Sequence, residues 1–133
     1  MNAALRAGRQ RGFTLIELLV VLAIVALLVS IAVPNYFVAE RRARETVLRE
    51  NLRVMRASLE AFMSDQGRYP VSLEELVDQR YLLRLPVDPI TKTNRSWVAV
   101  PAQTGLDDPR TGVADVRSGA SGTSVGGAAY GAL

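Results

Sequence analysis

The sequence contains no cysteine, which excludes a disulfide framework and every thiolate type of metal site. It contains no histidine either, so the commonest general base and metal ligand is missing. At 133 residues, a chain that also supplies a leader and a membrane segment keeps room for one small domain, with little scope for a large active-site cleft. These absences argue against an enzyme. The adjacent acids Asp107 and Asp108, and Glu74 and Glu75, read as ordinary turn and helix-start residues rather than as a catalytic carboxylate pair.

Acidic residues are absent from the first twelve positions, which carry Arg6, Arg9 and Arg11. The whole chain has 16 basic and 13 acidic residues, a net charge of +3, so those three arginines account for the entire excess. The high isoelectric point is therefore a property of the leader, and no nucleic-acid partner is expected. Arginines 41, 42, 44, 49, 53 and 56 alternate with glutamates and read as a solvated helix face rather than a phosphate-binding or lipid-binding stripe. There is no internal repeat at solenoid spacing.

Long polar stretches are also missing from the N-terminal third. From Phe13 to Val33 run 21 residues whose only polar members are Thr14, Glu17 and Ser30. As a helix this segment is roughly 31 Å long, matching a bilayer core. A secretory signal would have a shorter apolar run before a small-residue cleavage site, so a retained single-pass anchor fits better. The leader arginines place the N-terminus in the cytoplasm, although Arg41, Arg42 and Arg44 on the far side rival them in number.

A helical pattern continues from about Tyr36 to Ser64. Leu48, Leu52, Met55, Leu59 and Phe62 are spaced four, three, four and three residues apart and form one apolar stripe. Packing under the sheet of the head is the plainer reading of that stripe than a coiled-coil seam, because the run is barely two heptads long. Glu40 with Arg44, Glu45 with Arg49, and Arg56 with Glu60 stand at i,i+4 and are expected to pair on the solvated faces. Pro34 removes one backbone hydrogen bond where the two halves meet and favours a bend there. The helix should stop near Gly67, suited to a left-handed cap, with Pro70 unable to continue it.

Ser72 and Glu75 have the spacing of a capping box for a second, short helix ending around Gln79. Residues 96–100 and 113–117 are the best strand candidates, paired antiparallel. From Ser118 onward the chain is mostly Gly, Ala, Ser and Thr, with too little apolar surface to offset its ordering entropy unaided. Tyr130 and Leu133 are the residues able to pin it. The expected organisation is a leader (1–12), an anchor half-helix (13–34), an amphipathic half-helix (35–66) and a small head (67–133).

The most informative stretch is Arg9-Gln10-Arg11-Gly12-Phe13-Thr14-Leu15-Ile16-Glu17. It closely resembles the class III signal of type IV pilins and type II secretion pseudopilins. The resemblance implies cleavage by a prepilin peptidase after Gly12, N-methylation of Phe13, and assembly roles for Thr14, Glu17 and Pro34. Gly12 supplies the unhindered peptide bond that a protease needs. An ionisable Glu17 in a spanning helix costs several kcal/mol and calls for a partner; the resemblance supplies the Phe13 amine of a neighbouring subunit, while the bland alternative is a carboxylate snorkelling to the headgroups.

Gly67-Arg68-Tyr69-Pro70 and Leu85-Pro86-Val87-Asp88-Pro89 look like the head of major pseudopilins. The absence of a C-terminal cysteine pair points the same way. The expected fold is therefore α+β, a long bent N-terminal helix on a small antiparallel head. The expected function is a structural subunit of a periplasmic pseudopilus of the type II secretion system, supporting export of folded proteins across the outer membrane. The implied partners are further copies in a helical filament, minor pseudopilins, the prepilin peptidase, and an inner-membrane assembly platform with its ATPase. The resemblance also implies calcium in the C-terminal loops, for which Asp115 and Ser118 are the candidates; Ser121 stands where a further Asp is expected. Two other readings remain open: a subunit of a type IV or DNA-uptake pilus, and a membrane-anchored periplasmic adaptor that never polymerises.

Overall fold

The computed structural model describes residues 11–103 and 111–133. The leader residues Arg6 and Arg9, and the pair Asp107 and Asp108, lie outside the described residues. In chain order the elements are α1 (Leu15–Gln66), α2 (Leu73–Asp78), β1 (Trp97–Pro101), β2 (Val113–Ser118) and a 3-10 turn (Tyr130–Ala132). This is the expected α+β arrangement. The chain divides into two compact units, Met1–Phe37 and Val38–Leu133.

In the first unit the described residues are exposed throughout, and an 18-residue window of α1 has a mean hydropathy of 3.0. That combination of length, apolarity and unburied surface suits a helix whose solvent is lipid. Pro34 lies inside α1, and the helix runs through it without interruption. Nearby, the Ser30 hydroxyl donates to the Leu27 carbonyl at 2.7 Å and the Asn35 amide donates to the Ile31 carbonyl at 3.2 Å. Both side chains thus bond within the helix rather than presenting unpaired polar groups.

In the second unit the predicted stripe is buried: Leu48, Met55 and Phe62 are 0% exposed, Leu52 1% and Leu59 2%. They meet Leu73 and Leu76 of α2, Trp97 of β1, Val113 and Val116 of β2, and Tyr130 in one core. Burying each large side chain stabilises the head by roughly 1.5–3 kcal/mol. Gly67 ends α1 at a φ of +69° and donates its N–H to the Met63 carbonyl at 3.0 Å, as a left-handed cap requires. Strands β1 and β2 pair antiparallel in the register Trp97 to Ser118 and Val98 to Arg117, with an irregularity between Val100 and Pro101. Gly112, entering β2, approaches so closely that a Cβ there would stand 2.6 Å from the Pro70 carbonyl oxygen.

Two expected helix pairs are replaced by longer-range contacts. Glu40 and Arg44 do pair, at 2.5 Å. Glu45, however, is only 5% exposed and accepts hydrogen bonds from the Val125 N–H at 2.8 Å and the Tyr130 hydroxyl at 3.2 Å. Arg56 turns to Asp115 at 2.8 Å and donates to the carbonyls of Val116 and Leu133 at 3.1 and 2.9 Å. Both residues sit on the edge of the apolar stripe, where the tail and β2 offer partners that solvent-facing Arg49 and Glu60 cannot outbid. These contacts order the Gly- and Ala-rich tail, which its own apolar surface would not.

The capping box of α2 forms differently from its expected pattern. Ser72 is the N-cap of α2 but its side chain makes no capping bond. Glu75 instead accepts from the Val71 N–H and from Arg68, both at 2.6 Å, while the Arg68 guanidinium lies 5.1 Å from the centre of the Phe62 ring. The Arg68 bond, helped by the Val71 N–H, holds the Glu75 carboxyl below its ordinary value near 4.5. A depressed carboxyl stabilises the fold above its unfolded value and loses that contribution as pH falls through its folded value. The melting-temperature gap between the wild type and Glu75→Gln is therefore expected to be open at neutral pH and to close on acidification below about 4.5. A gap that persists unchanged into that acid range contradicts the assignment.

Candidate processing and assembly site

Residues 11–14 precede α1 in non-helical backbone. The Gly12–Phe13 bond therefore lies outside the helix, whose hydrogen-bonded backbone resists a protease. Among the described residues no atom lies within 4 Å of the position a Cβ would take on Gly12, and Phe13 is 82% exposed. The scissile bond expected from sequence is thus non-helical, unobstructed by the described residues and two residues ahead of the helix.

The first turn of α1 contains a feature that sequence reasoning missed. Glu17 donates its N–H to the Thr14 hydroxyl at 3.3 Å, and the Glu17 carboxylate accepts from the Thr14 N–H at 3.5 Å. This is a reciprocal capping box. Its signal, Thr followed three residues later by Glu ahead of an apolar run, was present in the sequence. Glu17 was expected to lack any partner in its own chain; the structure supplies a long, weak one. The Thr14 N–H lies on the C-terminal side of the Gly12–Phe13 bond, so cleavage there would leave the box intact and would give Phe13 a charged amine one residue away.

The two calcium candidates are close on β2, yet both are engaged elsewhere. Asp115 binds Arg56 at 2.8 Å and its own strand's Val116 N–H at 2.7 Å. The Ser118 hydroxyl donates to Asp88 at 2.5 Å and accepts from the Ala120 N–H at 3.1 Å. No group of three or more acidic residues able to hold a metal occurs among the described residues. A guanidinium against the principal carboxylate is the wrong neighbour for a hard dication, so Asp115 and Ser118 as placed among the described residues do not fit calcium. Chelation with EGTA is expected to leave the melting temperature of the purified protein unchanged, and a drop reversed by added calcium would contradict this.

Comparison with known proteins places these features. Residues 8–33 match the family described as prokaryotic N-terminal methylation motif. The type IV major pilin protein PilA of Myxococcus xanthus is 39% identical over 46% of this chain, a match covering 28% of that pilin. The type IV wide pilus major component PilA4 of Thermus thermophilus is 37% identical over half of each chain. No solved structure matches. The type II secretion system core protein G of Klebsiella pneumoniae is 33% identical over 61% of this chain and 69% of its own length. The chain belongs to the family of type II secretion system core protein G.

Proposed function

We propose that this protein is a structural subunit of the periplasmic pseudopilus of a type II secretion system and supports export of folded proteins across the outer membrane. The observation that carries the reading is an exposed apolar helix with a single acid, Glu17, in its first turn, directly after an accessible Gly12–Phe13 bond. Such a helix suits lipid before assembly and a helix-lined filament core after it. Cleavage after Gly12 by a prepilin peptidase frees the Phe13 amine for methylation and for contact with Glu17 of another copy. The uncut chain has no such amine at that position.

In this reading the helix spans the inner membrane with its N-terminus in the cytoplasm and the head in the periplasm. The work is mechanical rather than catalytic: an ATPase and a membrane platform add subunits at the base, and minor pseudopilins join the same fibre. The relatives among type IV pilins support a second reading, a surface or DNA-uptake pilus. One experiment separates the two. Cells lacking this protein are expected to retain folded exoprotein in the periplasm, and unchanged export into the medium would favour the pilus instead.

A further inference from the structure

The face of α1 turned away from the core is not a uniformly charged, solvated surface. Ala43, Val47, Val54, Ala57 and Ala61 recur at spacings of four, seven, three and four and share one side of the helix. All five are exposed, Val47 at 50% and Val54 at 39%. The charged interruption, Glu50, is neutralised by Arg53 at 2.6 Å. Small side chains along such a strip let another backbone approach closely.

Along one edge of this strip the charge changes sign. Arg42 and Arg49 lie nearly two turns apart, and Glu60 follows Arg49 by eleven residues, close to three full turns. All three are exposed, and none of their side chains has a hydrogen bond or ion pair with another described residue. Arg49 and Glu60 are thus separated by ~16 Å along the axis on the same edge.

We infer that this strip packs against a second copy of the chain that runs parallel and is displaced along the helix axis, so that Glu60 of one copy meets Arg49 of the next. The inference rests on the filament role proposed above, in which copies anchored at the same end run parallel. An in-register parallel neighbour would set Arg49 against Arg49. A displaced neighbour sets opposite charges together and leaves the pair with an unused Arg49 on the first copy and an unused Glu60 on the second. Such a heterologous contact propagates without closing.

The absence of cysteine from the sequence makes the test clean. Full-length protein carrying Arg49→Cys and Glu60→Cys together is oxidised in cells that form filaments, then resolved without reductant. The expected result is a ladder of dimer, trimer and higher species, absent from either single variant. A band that stops at dimer indicates an antiparallel closed pair, and strong dimers from Arg49→Cys alone indicate an in-register contact; either overturns the inference. Filaments visible by electron microscopy without a ladder overturn it while leaving the filament role intact. No filaments from the unaltered chain remove both. Should the cysteine pair itself block filaments, charge exchange decides: Arg49→Glu lowers filament yield by about tenfold and added Glu60→Arg restores it. Failure of the exchange to restore yield also overturns the inference.

Discussion

Glu17→Leu is expected to insert into the membrane and to be processed like the wild type, yet to enter filaments at a few per cent of the normal level. The leucine removes the one ionisable group from the apolar part of α1 before Glu40, so insertion becomes easier, and the Gly12–Phe13 bond is left untouched. What is lost is a charged partner for the Phe13 amine of the adjoining subunit. A charge pair in a site without water, worth about 2 kcal/mol, corresponds to roughly thirtyfold in the equilibrium for adding a subunit. Glu17→Gln keeps volume and hydrogen-bonding capacity while removing charge, and belongs between the two. The readouts are the mass of the processed chain and the fraction recovered in sheared filaments. Normal incorporation of Glu17→Leu would remove the pairing.

The capping box sharpens that expectation. At 3.5 Å the Thr14 N–H is a poor partner for the Glu17 carboxylate, enough to orient the side chain toward the helix start and too weak to compete with a charged amine. The snorkelling alternative and the pairing role are therefore not exclusive: under the proposed function, Glu17 would face the membrane surface beside its own helix terminus before assembly and change partner on assembly.

The sequence revealed the features that depend on local periodicity and failed on those that depend on distant partners. The stripe from Leu48 to Phe62, the Gly67 cap and the two strands are set by neighbours a few residues away, and each emerged within a residue or so of its expected place. Glu45 and Arg56 were assigned to neighbours one turn along because that was the only partner the sequence displayed. Their actual partners lie 80 and 85 residues away for Glu45, and 59 and 77 for Arg56. The tail is pinned by Tyr130 and Leu133, the two residues the sequence offered, and in addition by Glu45 and Arg56 of α1, which the sequence did not single out for it. At the candidate site Gly12 and Phe13 lie exposed ahead of α1, whereas Asp115 and Ser118, named from the resemblance to calcium-binding loops, are committed to Arg56 and Asp88.

Asp88 shows what the Leu-Pro-Val-Asp-Pro motif accomplishes and gives the largest expected loss in the head. It is 0% exposed. One carboxylate oxygen accepts from the N–H groups of Ile90 and Thr91 at 2.8 and 3.2 Å, and the other accepts from the Ser118 hydroxyl at 2.5 Å. Its backbone closes the same loop, N–H to the Thr93 carbonyl at 3.0 Å and carbonyl to the Lys92 N–H at 2.8 Å, with Lys92 held at a φ of +60°. One side chain therefore folds the loop before β1 and ties it to the end of β2. Asp88→Ala removes the acceptor from three donors at once, and burial leaves them little access to water. With each orphaned donor costing on the order of 1 kcal/mol or more, the expected destabilisation is about 3 kcal/mol in urea titration of the detergent-solubilised protein. Asp88→Asn retains one oxygen for the Ile90 and Thr91 N–H groups, and the Ser118 hydroxyl can rotate to accept from its amide, so about 1 kcal/mol is expected there. Equal losses for the two variants would place the effect in the loop backbone rather than in the bond to Ser118. A loss below about 0.5 kcal/mol for Asp88→Ala would mean that the donors find water and that the carboxylate does not fasten the loop.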